Sequence, residues 1–210
     1  RDALYELESL AEFWKSVLDQ NTDVFSDRVL RRLYVLNYAP NGMWAYFVSV
    51  YFMTNKNSDG LLDDESFYVF LNKITAFIWA YAVSNPGVNA LRTPIYAEMV
   101  NVVEHRDVTF SEWLFDPITL RSQLDNYSFG NNRAITKSML TWWAFNNDEQ
   151  PWIDYEVNFE IEHILAKKRI GELNNAENLE LLGNKSLLEK KINIRASDYR
   201  FSDKLKYYRG

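Results

Sequence analysis

A chain of 210 residues with 47% hydrophobic and 16% aromatic content is long enough to bury a sizeable core, which excludes a disordered protein. It has no cysteine, so a disulfide framework and a thiolate metal site are both excluded. The formal net charge of −6 is unevenly spread: residues 1–150 carry 12 Lys and Arg against 19 Asp and Glu, residues 163–210 carry 11 against 6.

A basic end on an acidic body points to a polyanion partner at that end. The longest apolar stretches, around Met43–Met53 and Ile74–Val83, fall short of the roughly 20 residues a membrane span needs, and no secretory signal is visible. The expectation is a cytoplasmic protein with no membrane partner. The chain begins at Arg1, inside a helical pattern, so it reads as a piece of a longer polypeptide.

Up to about residue 150 the pattern is helical. Leu4, Leu7, Leu10, Ala11, Trp14 and Val17–Leu18 recur at three- and four-residue spacing. Ser26 is placed to cap a second helix through Leu30, Leu33 and Leu36, which Pro40-Asn41-Gly42 ends. Met43–Met53 is apolar on nearly all sides and predicts a buried helix. Asp63-Asp64 opens another, with acidic residues in its first turn, running to Asn85-Pro86-Gly87. Pro94 suits a first helical position before Ile95–Val103, and further helices are predicted over Pro117–Leu124 and Arg133–Phe145. The tryptophans Trp14, Trp44, Trp79, Trp142 and Trp143 read as core.

The texture changes after the polar, turn-prone stretch 146–151, taken as a domain boundary: a helical domain over 1–150 and a small module over 151–210. Tyr155–Ile161 alternates in the manner of a strand. Leu179–Leu182 and Lys185–Leu188, around Gly183-Asn184, predict a bent strand or hairpin. A helix is predicted from Asn193, with Ala196, Tyr199, Leu205 and Tyr208 on one stripe.

The chain has two histidines. His105 closes a helical pattern and reads as a surface or C-terminal helix residue. His163, in Phe159-Glu160-Ile161-Glu162-His163-Ile164-Leu165, ends a strand with a carboxylate directly beside it. Neighbours on a regular strand point to opposite faces, so Glu162 and His163 serve one site only if the strand ends or bulges there. Asn184 follows 21 residues after His163, and Asn193 nine residues after that.

An acidic residue, a histidine and two asparagines in this order resemble the HNH (His-Me finger, ββα-metal) nuclease motif. Ile161-Glu162-His163-Ile164, then Leu182-Gly183-Asn184-Lys185-Ser186-Leu187-Leu188, Asn193, and Phe201 with Lys204 are similar to the C-terminal nuclease domain of GmrSD-type restriction endonucleases. Those are prokaryotic defence proteins that attack modified phage DNA. The resemblance covers residues 155–210 and implies a mainly α chain: a helical domain followed by a ββα-metal module.

It also implies roles. His163 is the general base, a neutral imidazole being suited to that task near pH 7. Asn184 holds the loop and the histidine in place. Glu162 and Asn193 ligate one divalent cation, Mg²⁺ or else Mn²⁺, which takes oxygen donors. Lys204 stands where the family has a basic residue facing phosphate. Apart from the resemblance, Lys190, Lys191, Arg195, Arg200 and Lys204 form either a solvated face or, beside such a motif, a track for the phosphates of DNA, including modified phage DNA. An N-terminal recognition and nucleotide-binding domain is the implied partner. Glu162 departs from the Asp of the broader superfamily, and Ala166 from the Pro of many relatives. The alternative is a helical scaffold whose nuclease-like module has lost activity and only binds DNA or a partner protein.

Overall fold

The computed structural model describes residues 2–85, 91–147 and 149–209. The chain is mainly helical. In order come α1 (Asp2–Leu18), α2 (Asp27–Leu36), α3 (Met43–Asn55), α4 (Asp64–Ser84), α5 (Arg92–Val103), α6 (Pro117–Asp125) and α7 (Ala134–Phe145). Then follow β1 (Phe159–His163), β2 (Lys185–Glu189), α8 (Lys190–Ala196) and α9 (Phe201–Tyr208).

It divides into two compact units, Arg1–Arg121 and Ser122–Gly210. The expected boundary near residue 150 lies inside the second of these. Two bonds explain the difference: the Phe129 amide donates to the Glu180 carbonyl at 2.8 Å, and Asn131 Nδ2 to the Ile161 carbonyl at 2.7 Å. They tie the segment before α7 to the strand region, and α7 packs on β2. The described residues of the polar stretch 146–151 thus lie within the second unit. Asp148, part of that stretch, lies outside the described residues.

The first unit follows its capping signals. The Val29 amide donates to Ser26 Oγ at 3.4 Å, opening α2, and the Ser66 amide to Asp63 Oδ1 at 2.9 Å, opening α4. The helix α4 ends at Ser84, and the Pro86-Gly87 stop lies outside the described residues. Packing of α2 on α4 and of α3 on α5 and α1 buries an aromatic core. Phe13 stacks on Phe52 at 4.3 Å, Tyr51 on Phe70 at 4.0 Å, and Phe77 on Phe110 at 3.8 Å between ring centroids.

At 21 residues α4 is, by length and composition, apolar enough to cross a membrane, longer than its apolar run alone suggests. Yet 61% of its apolar window is buried inside the molecule, as in the core helix of a globular unit. Trp44 joins this core and Trp14 partly so, whereas Trp143 on α7 is 72% exposed, contrary to the core reading.

In the second unit β1 and β2 pair antiparallel, with His163 opposite Lys185 and Glu162 opposite Ser186. The strand predicted from Tyr155 starts only at Phe159, where its ladder with the five residues of β2 begins. The apolar run at Leu179–Leu182 is not a strand. It falls in 3-10 turns over Ala176–Glu180 and Leu182–Asn184, the first opened by the Glu177 amide donating to Asn175 Oδ1 at 3.0 Å. The helical region after β2 is broken at Ser197, whose φ of +44° separates α8 from α9.

Candidate functional site

His163 closes β1 and is 7% exposed. Its Nε2 lies 3.2 Å from Glu180 Oε1 and within hydrogen-bond reach of Lys185 Nζ, the residue opposite it on β2. Lys185 Nζ also donates to Glu180 Oε2 at 2.6 Å and to Asn131 Oδ1 at 2.9 Å. Burial, reinforced by the Lys185 charge, holds His163 below its ordinary value against the opposing pull of Glu180. The imidazole is therefore neutral at pH 7, as a general base must be.

Burial raises the Glu180 carboxyl, but its hydrogen bonds from Lys185 and His163 outweigh this and set it below the ordinary range. Burial lowers Lys185, and Glu180 opposes that effect.

Asn184 clamps the chain that follows the histidine. Its Oδ1 accepts from the Leu165 amide at 2.8 Å, and its Nδ2 donates to the carbonyls of Leu179 at 3.0 Å and Leu165 at 3.3 Å. The Ile164 amide donates to the Asn184 carbonyl at 2.9 Å. These bonds go to the backbone that follows the histidine and not to the ring.

Glu162 occupies the other face of β1, as strand alternation requires. Its Oε1 accepts from Lys204 Nζ and, at 3.2 Å, from the Tyr208 hydroxyl, both on α9. Burial, followed by the Glu162 charge, pushes the Tyr208 hydroxyl upward. Glu160 shares this face, two residues back, and its Oε2 accepts from Asn193 Nδ2 at 2.8 Å.

The structure thus brings Asn193 to the carboxylate face of β1 through Glu160. It does not bring Glu162 and His163 onto one face, because β1 remains regularly paired through His163 and leaves no bulge to turn the residue. Lys204 is also placed differently from the phosphate-facing expectation. It is 0% exposed, donating to Glu162 and, at 2.8 Å, to the His163 carbonyl, because a buried carboxylate needs a charged partner. Lys190, Lys191, Arg195 and Arg200 are exposed.

Glu160, Glu162 and Asn193 offer oxygen donors only, which suits a hard divalent ion such as Mg²⁺. Among the described residues no group of three His, Cys, Asp or Glu side chains is gathered tightly enough to hold a metal unaided. An ion here would draw on the Asn193 amide oxygen, with water and substrate oxygens completing its shell.

The motif does not mark Glu160, Glu180, Lys185, Asn131 or Tyr208 as site residues. Alternation from Glu162 points to Glu160. Lys185 becomes visible once the β1–β2 register is known, since a lysine directly across from a histidine near a strand end is out of place in an apolar run.

In the first unit His105 lies just beyond α5 with φ of +55°, exposed as expected. Comparison with protein-family models, with curated proteins and with solved structures found no match for this chain.

Proposed function

We propose that the second unit is a metal-dependent DNA endonuclease module of the HNH type, related to the nuclease domain of GmrSD-type restriction enzymes of phage defence. One observation carries the reading. Two antiparallel strands run directly into a helix, the histidine closes the first strand, and Asn184 is bonded back onto the turn that follows it. This is the order of parts that the sequence resemblance implies.

In this reading His163 takes a proton from the attacking water. Its neutral state at pH 7 leaves a nitrogen lone pair for that purpose, and such bases contribute roughly 10²–10⁴-fold. Asn184 fixes the backbone of Ile164 and Leu165, which keeps the end of β1 and its imidazole from drifting. For Glu162 and Asn193 to hold Mg²⁺ or Mn²⁺, Lys204 must release Glu162 and the end of β1 must turn His163 toward their face, with Glu160 orienting the Asn193 amide; the ion would then supply positive charge to the leaving oxygen. The exposed Lys190, Lys191 and Arg195 form a DNA-facing surface. Recognition of modified phage DNA falls to a separate N-terminal nucleotide-binding domain, and the cytoplasm is the compartment where such DNA is met.

A second reading is favoured by one feature. Glu162 is paired with Lys204 on the face opposite His163, an arrangement suited to a module that binds DNA or a partner protein without cutting. Plasmid nicking with Mg²⁺ or Mn²⁺, by the parent and by His163→Ala, separates the two. Cleavage lost in the variant and in chelator supports the nuclease; no cleavage by the parent supports the binding module.

A further inference from the structure

Three side chains converge on Glu180. Its Oε1 lies 3.2 Å from His163 Nε2 and 3.6 Å from Lys167 Nζ, and its Oε2 accepts from Lys185 Nζ at 2.6 Å. Two of the three are built into the strands: the Lys185 side chain is 0% exposed and that of His163 is 8% exposed. Asn131 Oδ1, at 2.9 Å, fixes the ammonium from a further side. Glu180 comes from a different kind of element. It ends the 3-10 turn Ala176–Glu180, and its side chain is 26% exposed. Two of the donors are buried on paired strands, and the acceptor hangs from a short turn.

A carboxylate presents one negative charge over two oxygens, and so does a phosphodiester. Charge-assisted donors that hold the first at these distances suit the second. Lys190, Lys191 and Lys204 are not placed to help at this point. Lys190 and Lys191 follow the far end of β2, four residues from Lys185, on the order of 14 Å along a strand. Lys204 is buried on the opposite face of β1. Lys167, 63% exposed, is the surface cation of the cluster and meets an incoming anion first.

We infer that His163, Lys185 and Lys167 form a cradle for one phosphate oxyanion, in which Glu180 is an internal stand-in that a phosphodiester displaces. The cradle rests on the nuclease reading only for the identity of its anion, and it serves equally a module that binds without cutting. Removing the stand-in leaves the buried Lys185 without its carboxylate, and a bound anion restores the pairing that a buried ammonium needs.

The test uses the full chain. Glu180→Gln is titrated with inorganic phosphate, followed by ³¹P NMR, and with a short DNA duplex, followed by fluorescence anisotropy at several salt concentrations. At least tenfold tighter phosphate binding than the parent is expected, and the added Lys185→Met should cancel that gain. Lys167→Ala, an exposed change that spares the fold, should reduce the slope of log affinity against log salt by about 0.9, one phosphate contact.

A folded Glu180→Gln protein with unchanged or weaker phosphate affinity overturns the cradle, as does a gain that survives Lys185→Met. If Glu180→Gln does not fold, Lys167→Ala decides the matter, and an unchanged salt slope overturns the cradle. Cleavage is not read in this experiment, so a protein that binds phosphate as expected but never cuts keeps the cradle and loses only the nuclease reading.

Discussion

Lys204 and Glu162, 42 positions apart, form a buried ion pair that fastens α9 to β1. Lys204 Nζ also donates to the His163 carbonyl at 2.8 Å, so one ammonium satisfies two acceptors beside the candidate base. Because the side chains of Lys204 and Glu162 are 0% and 8% exposed, removing one strands the other. Lys204→Met is expected to cost about 3–5 kcal/mol in urea unfolding, and the double variant with Glu162→Leu to recover most of that. A loss below about 1 kcal/mol in the single variant contradicts the buried pairing.

Ser197 offers a change in the opposite direction. A non-glycine residue at φ of +44° is held in a strained conformation by the helices on either side, and its amide already donates to the Asn193 carbonyl at 3.1 Å. Such strain costs of order 1–3 kcal/mol, part of which glycine gives back as added freedom in the unfolded chain. Ser197→Gly should therefore raise stability by about 0.5–1 kcal/mol, measured by thermal or urea unfolding. A loss of stability shows that the break is not strained.

Asn184→Ala removes three side-chain hydrogen bonds to the backbone of Leu165 and Leu179. At about 1 kcal/mol each, a loss of about 2–3 kcal/mol follows. Amide hydrogen exchange at Leu165 should speed up while exchange in α2 and α4 does not change. Equal acceleration everywhere means that the clamp is not local.

These residues also mark how far the sequence alone reaches. The helices of the first unit are legible because their signals are local: Ser26 and Asp63 cap within three residues, and the apolar stripes repeat every turn. The division of the chain is not, since it depends on Asn131 bonding to Ile161, 30 residues away. The motif residues His163, Asn184 and Asn193 can be singled out by order and type. Their partners Glu180, Lys185 and Glu160 follow from strand register and from a 3-10 turn that looks like an apolar strand, neither of which residue spacing encodes.

The shift at His163 gives a pH dependence with a definite sign. Its folded value lies below 6.5, because burial and Lys185 disfavour the imidazolium more than Glu180 favours it. Between the two values the unfolded chain binds more protons, so stability increases with pH in that window. The contribution is complete above pH 6.5 and is lost as pH falls through the folded value. Urea unfolding of the parent should weaken between pH 7.5 and 5.5 by more than that of His163→Asn, in which the contribution is absent. Identical pH profiles for the two proteins contradict the buried neutral imidazole.

If His163 is the base of a metal-assisted phosphodiester cleavage, plasmid nicking reads it out. The full chain is incubated with supercoiled plasmid and Mg²⁺ or Mn²⁺, with and without chelator, beside His163→Ala, Glu162→Gln and Asn193→Ala. Nicking is expected from the parent and is abolished by chelator. His163→Ala should lose at least 10²-fold in rate while still binding DNA. Glu162→Gln and Asn193→Ala should recover part of their rate as Mg²⁺ is raised. A His163→Ala protein that cuts as fast as the parent, or nicking indifferent to chelator, contradicts a catalytic His163 and leaves the binding module as the reading of this fold.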